Sequence, residues 1–368
     1  MHRLLLLGAG KIGSAIAKLL VNSGDYDVLV GDIEQRALDR VATGLAVKTV
    51  KLDIADGAAL RQAMAKVQTV VSACTYDANV RIADAALATG VSYFDLTEDV
   101  ATTRAIQNFA LSAHAGQIFM PQCGLAPGFI CIAAHDLTRG FDRLDQVRMR
   151  VGALPQFPSN AMKYNLTWST DGLINEYCNL CEAIHEGKKI EILPLEGLEH
   201  FSLDGMDYEA FNTSGGLGTL CDTLAGKVRT LDYKTVRYEG HRELMAFLVN
   251  GLRLSERRGI LKDILENAVP ITLQDVVLIF CTVTGYRNGY LTQVTDARKI
   301  YHKPVFGEHW SAIQITTAAA MCAAVDLHVT GKLPDRGFVR QEQISLDTFL
   351  ANRFGEHYVT DQVKDYKS

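Results

Sequence analysis

The feature that most constrains this chain is Gly8-Ala9-Gly10-Lys11-Ile12-Gly13, set between the apolar run Arg3–Leu7 and the amphipathic stretch Lys11–Val21. A continuous apolar run predicts a strand covered on both faces, and apolar residues at three- and four-residue spacing predict a helix. A strand that enters a helix through these glycines makes a tight turn. Gly10 lets the backbone approach a diphosphate, Gly13 lets helix and strand pack closely, and the N–H groups of the helix start face the anion. Glycines serving only a strand–helix turn are the plainer alternative. Further short apolar runs follow at Asp27–Gly31, Val47–Val50, Thr69–Ala73, Ser92–Leu96 and Gln117–Met120, with helical stretches such as Ala78–Ala88 between them. Such alternation predicts right-handed βαβ units in a doubly wound parallel sheet of Rossmann type.

Asp32 ends the second strand, 24 residues after Gly8. A carboxylate there accepts bonds from both ribose hydroxyls and repels a 2′-phosphate, so the expected cofactor is NAD, with NADP second. Arg36, one helical turn later, reads as a solvated helix residue. Asp53 follows the third strand, where its side chain either reaches the adenine edge or caps the next helix. Gly8, Gly10, Lys11, Ile12, Gly13, Asp32, Asp53, Ala73 and Cys74 form the expected cofactor set, the last two ending the fourth strand near the nicotinamide ribose. Cys74 reads more readily as a packing residue than as a nucleophile.

After Gly128 the pattern changes. Gln146–Leu154, Met206–Asn212, Thr230–Tyr238, Asp275–Tyr286 and Tyr290–His302 alternate polar with apolar residues, as strands solvated on one face do. The last two flank Asn288-Gly289, a strong hairpin signal. Helices are expected near Gly215–Ala225, His241–Asn250 and Trp310–Val329. The expected fold is therefore α/β: a Rossmann domain over 1–125, and a second α+β domain with a mixed or antiparallel sheet over 126–308. A C-terminal helical segment, 309–368, is expected to return to the first domain.

Composition removes several function classes. Lys plus Arg is 37 and Asp plus Glu 42, a net charge of −5, which leaves no basic excess for nucleic acid. No uncharged apolar run of about 18 residues suggests a membrane span. Leu4–Leu7 is cut off by Gly8 and Lys11 and reads as a buried strand rather than a signal peptide. The eight cysteines then read as reduced thiols of a cytoplasmic protein. Cys178-Asn179-Leu180-Cys181 lacks a second ligand pair, so no metal is expected.

Three segments should line the substrate crevice at the carboxyl ends of the later strands. Asp95-Leu96-Thr97-Glu98-Asp99 gathers three carboxylates suited to an ammonium, although Glu98 and Asp99 equally suit a helix start. Cys123–Phe129 (CGLAPGF) and the opening of the second domain are the others. With Gly90–Asp95 (GVSYFD) and the Gly8–Gly13 turn, Cys123–Gly128 resembles the saccharopine dehydrogenase-like family. Trp168–Tyr177, Glu209–Leu220 and Tyr233–His241 look closest to its lysine 6-dehydrogenase type.

The resemblance implies an NAD(P)-dependent enzyme, often a homodimer, that oxidises or reduces a carbon–nitrogen bond of lysine or a lysine-derived amino acid. Hydride leaves the carbon bearing the amine and the resulting imine hydrolyses, which needs donor and acceptor within about 3–3.5 Å and a deprotonated amine. Asp95, Asp99 and His241 are the expected catalytic groups. Cys123, Trp168, Thr213 and Arg237 are expected to bind substrate, Arg237 by clamping a carboxylate; Tyr164, four residues ahead of the Trp168–Tyr177 segment, and Glu176 within it are further candidates. Saccharopine-forming relatives often carry an acidic residue in the turn where this chain has Ala126, which points toward the lysine-dehydrogenase pocket. A saccharopine or carboxynorspermidine type of dehydrogenase using NADP remains open, as does a non-catalytic NAD sensor.

Overall fold

Short apolar runs between amphipathic helices leave one arrangement that buries both faces of every strand, a parallel sheet with helices on either side. The computed structural model, which describes residues 1–360, has this arrangement. Its first part runs β1 (His2–Leu7), α1 (Lys11–Asn22), β2 (Tyr26–Asp32), α2 (Gln35–Ala42), β3 (Lys48–Lys51), α3 (Gly57–Met64), β4 (Thr69–Ser72), α4 (Tyr76–Thr89), β5 (Ser92–Asp95), α5 (Val100–Ala110) and β6 (Ile118–Met120). These strands pair in parallel in the order β3-β2-β1-β4-β5-β6. The run Leu4–Leu7 is explained by the two layers. Leu4 and Leu6 pack into one helix layer, Leu5 and Leu7 into the other. The order reverses between β1 and β4, so their carboxyl ends open onto one crevice.

The second part contains α6 (Phe129–Leu137), β7 (Arg143–Pro155), α7 (Thr170–Cys178), β8 (Cys181–His185), β9 (Lys188–Ile192), β10 (Glu199–Leu203), β11 (Met206–Asn212), α8 (Leu220–Leu224), β12 (Val228–Tyr238), α9 (His241–Ala246), α10 (Arg258–Ala268), β13 (Asp275–Arg287), β14 (Tyr290–Tyr301), β15 (Lys303–Val305) and β16 (Glu308–Trp310). Its large sheet has the order β10-β11-β12-β7-β13-β14, with the β8–β9 hairpin attached to β12. It is mixed: β12 and β7 are parallel, while the other neighbours are antiparallel. The hairpin expected at Asn288-Gly289 forms with both residues at positive φ, as its two-residue turn requires.

The chain returns through α11 (Ala312–Val329), β17 (Gly337–Phe338) and α12 (Leu346–Leu350). α11 packs on α1, and β17 adds a seventh strand beside β6. Among the described residues α11 is the helix long and apolar enough to cross a membrane, and its apolar length is buried inside the fold.

Some expected elements differ from those observed. The helix expected over Gly215–Ala225 is confined to Leu220–Leu224, because Gly215 and Gly218 adopt positive φ in a loop. The helix expected over His241–Asn250 ends at Ala246 and continues as a π-helical turn. Strands β8–β10 were not legible: each is only five residues long, and β9 is solvent-facing along nearly its whole length, its alternation limited to Ile190 and Ile192. Helix α7 is buried on almost all sides, which erases the amphipathic period.

Candidate active site

The Gly8–Gly13 turn joins β1 to α1 at the sheet's switch point. A Cβ on Gly13 would lie far inside contact distance of the Gly8 carbonyl oxygen, so only glycine fits there. No heavy atom lies within 4 Å of where a Cβ on Gly10 would sit. That open space lies over the free N–H groups of the α1 start, beside Lys11, and suits a diphosphate. Asp32 ends β2 with Oδ2 accepting from Ala9 N (2.6 Å) and Oδ1 from Glu34 N (2.8 Å). Each oxygen keeps lone-pair capacity for a ribose hydroxyl. The residues present therefore fit a dinucleotide. Asp53 shapes its own turn by accepting from Ala55 N, and it is Asp56 that caps α3.

A cleft of about 220 Å³ opens from this turn toward the large sheet. Ile12, Ala73, Cys74, Thr75 and Tyr76 form its cofactor side, and Gly124–Pro127 and Trp168 its walls. Glu98, Glu176 and Arg237 supply its charge. β12 contributes Tyr233, Thr235 and Arg237, which share one face through the two-residue strand period. Helix α7 contributes Gly172 and Glu176, and its N-cap contributes Ser169; the helix is anchored by Lys262 of α10 on Asp171. Burial pushes the Cys74 thiol up to about 11, so it is a packing thiol rather than a thiolate nucleophile.

The carboxylates that reach the cleft are not those expected. Asp95 is fully buried, accepting from Tyr93 Oη (2.7 Å), Thr97 N (2.9 Å) and Gln122 N (3.0 Å). It ties the end of β5 to the segment after β6. Asp99 is the N-cap of α5, accepting from Thr102 N at 2.7 Å. Neither lines the cleft, and the acid between them does. Glu98 is pushed up to about 7 by burial, with the neighbouring Asn175 side chain pulling the other way, and its Oε1 is buried without a hydrogen-bond partner among the described residues. Its backbone is braced by Gly215, where any side chain would strike the Glu98 carbonyl. Glu176 is pushed up to about 8, mainly by burial, with Arg237 pulling the other way.

His241 is also displaced from the expected role. It is buried behind Arg237 rather than in the cleft wall, and burial, then Arg237, lowers its pKa to about 3. A ring that stays neutral at such acidity is a poor base near neutral pH. Cys123 is buried, its thiol 3.1 Å from both the Met120 carbonyl and Gln341 Nε2, while the glycine-proline turn after it faces the cleft. Thr213 lies beside a separate void of about 10 Å³. Trp168 and Arg237 do line the cleft. Thr235, Tyr233, Tyr76 and Ser169 were missed, although the alternation read for Thr230–Tyr238 already places the first two beside Arg237.

A glycine-rich turn at the switch point of a parallel sheet, opening on a cleft with buried acids and a guanidinium, is the arrangement of a dinucleotide-binding protein with a small-molecule site beside it. Residues 4–118 match the saccharopine dehydrogenase NADP binding domain, and residues 124–357 match the saccharopine dehydrogenase C-terminal domain. The chain belongs to the saccharopine dehydrogenase family.

Among curated proteins it is 24% identical over 272 residues to the saccharopine dehydrogenase [NADP(+), L-glutamate-forming] of Saccharomyces cerevisiae, covering 70% of this chain. It is 21% identical over 261 residues to the Schizosaccharomyces pombe enzyme of the same name, covering 68%. In each case the match spans 58% of the relative's own length. Among solved structures, apo saccharopine dehydrogenase (L-Glu forming) from Saccharomyces cerevisiae superposes with a TM-score of 0.75 at 16% identity, covering 97% of this chain and 96% of that one. A homospermidine synthase from Legionella pneumophila in complex with NAD gives 0.66 at 14% identity, covering 97% and 89%. Both share the fold.

Proposed function

We propose that this protein is an amino-acid dehydrogenase that removes hydride from the amine-bearing carbon of lysine or a lysine-derived amino acid. One observation carries the reading. A cleft beside the dinucleotide turn holds a buried guanidinium and an unpartnered buried carboxylate oxygen, which suits a zwitterion bound by both ends. Arg237 takes the carboxylate bidentately. Glu98 accepts the proton of the ammonium, and Glu176, held protonated near neutral pH, keeps that end from carrying two buried anions. Leu96, Leu125 and Ile313 keep water from the reacting carbon.

The Gly8–Gly13 turn would hold the cofactor's diphosphate and Asp32 its ribose, and the nicotinamide supplies the hydride acceptor when bound. Asp32, with Glu34 beside it, supports NAD over NADP by repelling a 2′-phosphate. The names of the matched domain and of the yeast relatives favour the alternative, a saccharopine-type enzyme using NADP. Both readings are tested by following cofactor reduction with L-lysine, saccharopine and diamines, each with NAD and with NADP. Turnover of an amino acid by NAD is expected. No turnover of any amine, with NAD still bound, overturns the dehydrogenase reading and leaves a nucleotide-binding protein.

The same proposal places the enzyme in the cytoplasm as a homodimer serving a small-molecule substrate. Eight free thiols support a reducing compartment, and sedimentation of the purified protein tests the dimer.

A further inference from the structure

The directions of the hydrogen bonds behind Arg237 follow from donors and acceptors alone. His241 Nδ1 lies 2.9 Å from the Met162 carbonyl oxygen. A carbonyl only accepts, so Nδ1 carries the ring proton. The neutral ring leaves Nε2 with a lone pair, 3.1 Å from Tyr177 Oη, so the tyrosine donates. Burial raises the Tyr177 pKa and keeps the phenol protonated. With its single proton committed to His241, Tyr177 Oη accepts from Arg237 Nε at 3.0 Å. Arg237 Nη1 donates to the Val236 carbonyl (2.9 Å), and the Tyr164 ring lies 4.9 Å from the guanidinium carbon. Nη2 has no hydrogen bond to any described residue, while Arg237 lines the cleft. A buried guanidinium that lacks a hydrogen-bonded anion is costly unless a ligand supplies one.

We propose that Met162, His241, Tyr177 and Arg237 form a one-directional brace that turns the free edge of Arg237 into the cleft to take a substrate carboxylate. His241 and Tyr177 are positioning residues, and the protein selects amino acids over their decarboxylated diamines. The selectivity rests on the amino-acid reading above; the brace does not. Reversing any link would set two donors or two lone pairs against each other, so the chain has one polarity and holds the guanidinium in one orientation. Rotamer freedom that Arg237 would otherwise lose on binding is already removed.

Two measurements test this. Tyr177→Phe removes the middle link while keeping the ring. It should raise KM for L-lysine about tenfold, the loss of one hydrogen bond to a charged group, with kcat little changed and with activity toward the diamine of the same length unaltered. An equal change for both substrates, or no change for lysine, overturns the selectivity. In ¹⁵N-histidine-labelled protein, with the His241 signals assigned by their loss in His241→Gln, Nδ1 should be protonated and Nε2 bare across neutral pH. A protonated Nε2 overturns the brace. If the wild type turns over neither amino acids nor diamines, the functional reading fails, and the nitrogen spectrum still decides the brace.

Discussion

Replacing Glu176 by Gln removes one buried ionisable group while keeping its shape. The folded protein holds this carboxyl at about 8 against an ordinary value of 4.5. A carboxyl raised on folding contributes stability that is fully present below its unfolded value and is lost as pH rises through its folded one. The wild type should therefore weaken between about pH 4.5 and pH 8, because the folded state resists losing a proton that the unfolded chain gives up. Each pH unit of that span is worth about 1.4 kcal/mol, so the ceiling is ~5 kcal/mol. The glutamine variant lacks this loss. Its stability should match the wild type at about pH 4 and exceed it by ~2–5 kcal/mol at about pH 9. Glu98 titrates in both proteins and its charge adds to the upward push on Glu176, so the difference between them reports Glu176 together with that coupling. Urea unfolding can be followed through tryptophan fluorescence, since only two tryptophans are present and Trp168 lines the same cleft. A stability gap that stays constant from about pH 5 to about pH 9 would refute the reasoning, because it would mean that Glu176 is ionised against Arg237 throughout.

Asp99→Ala should cost about 1 kcal/mol of stability through the lost α5 cap and leave kinetics alone; a selective loss of turnover in a fully folded variant would return Asp99 to the catalytic set. Asp32→Ala should raise the NAD Michaelis constant and improve NADP relatively, and an unchanged ratio between the cofactors would remove Asp32 as the discriminator. Gly13→Ala should abolish dinucleotide binding, measured by titration of the folded protein, because its methyl has no room beside the Gly8 carbonyl; normal affinity would show that the turn does not hold the diphosphate.

The sequence by itself determined the parallel sheet, the cofactor turn and the mixed second sheet. These rest on local signals: continuous apolar runs where both strand faces are covered, alternation where one is solvated, and glycines where backbone segments touch. Asp32 was legible for the same reason, since a fixed number of residues carries the chain from Gly8 to the end of β2. Only the tertiary structure decided which charged groups face the cleft. Asp95, Glu98 and Asp99 lie within five residues, and composition treats them alike. Folding hands Asp95 to the backbone of Gln122, 27 residues on, and Asp99 to the helix dipole, leaving Glu98 with an unpartnered oxygen. His241 stands four residues after Arg237 in sequence, and whether it enters the cleft or stands behind the guanidinium depends on Tyr177, 64 residues earlier. Burial moves these groups' pKa values, and burial is a property of long-range packing that no local pattern encodes.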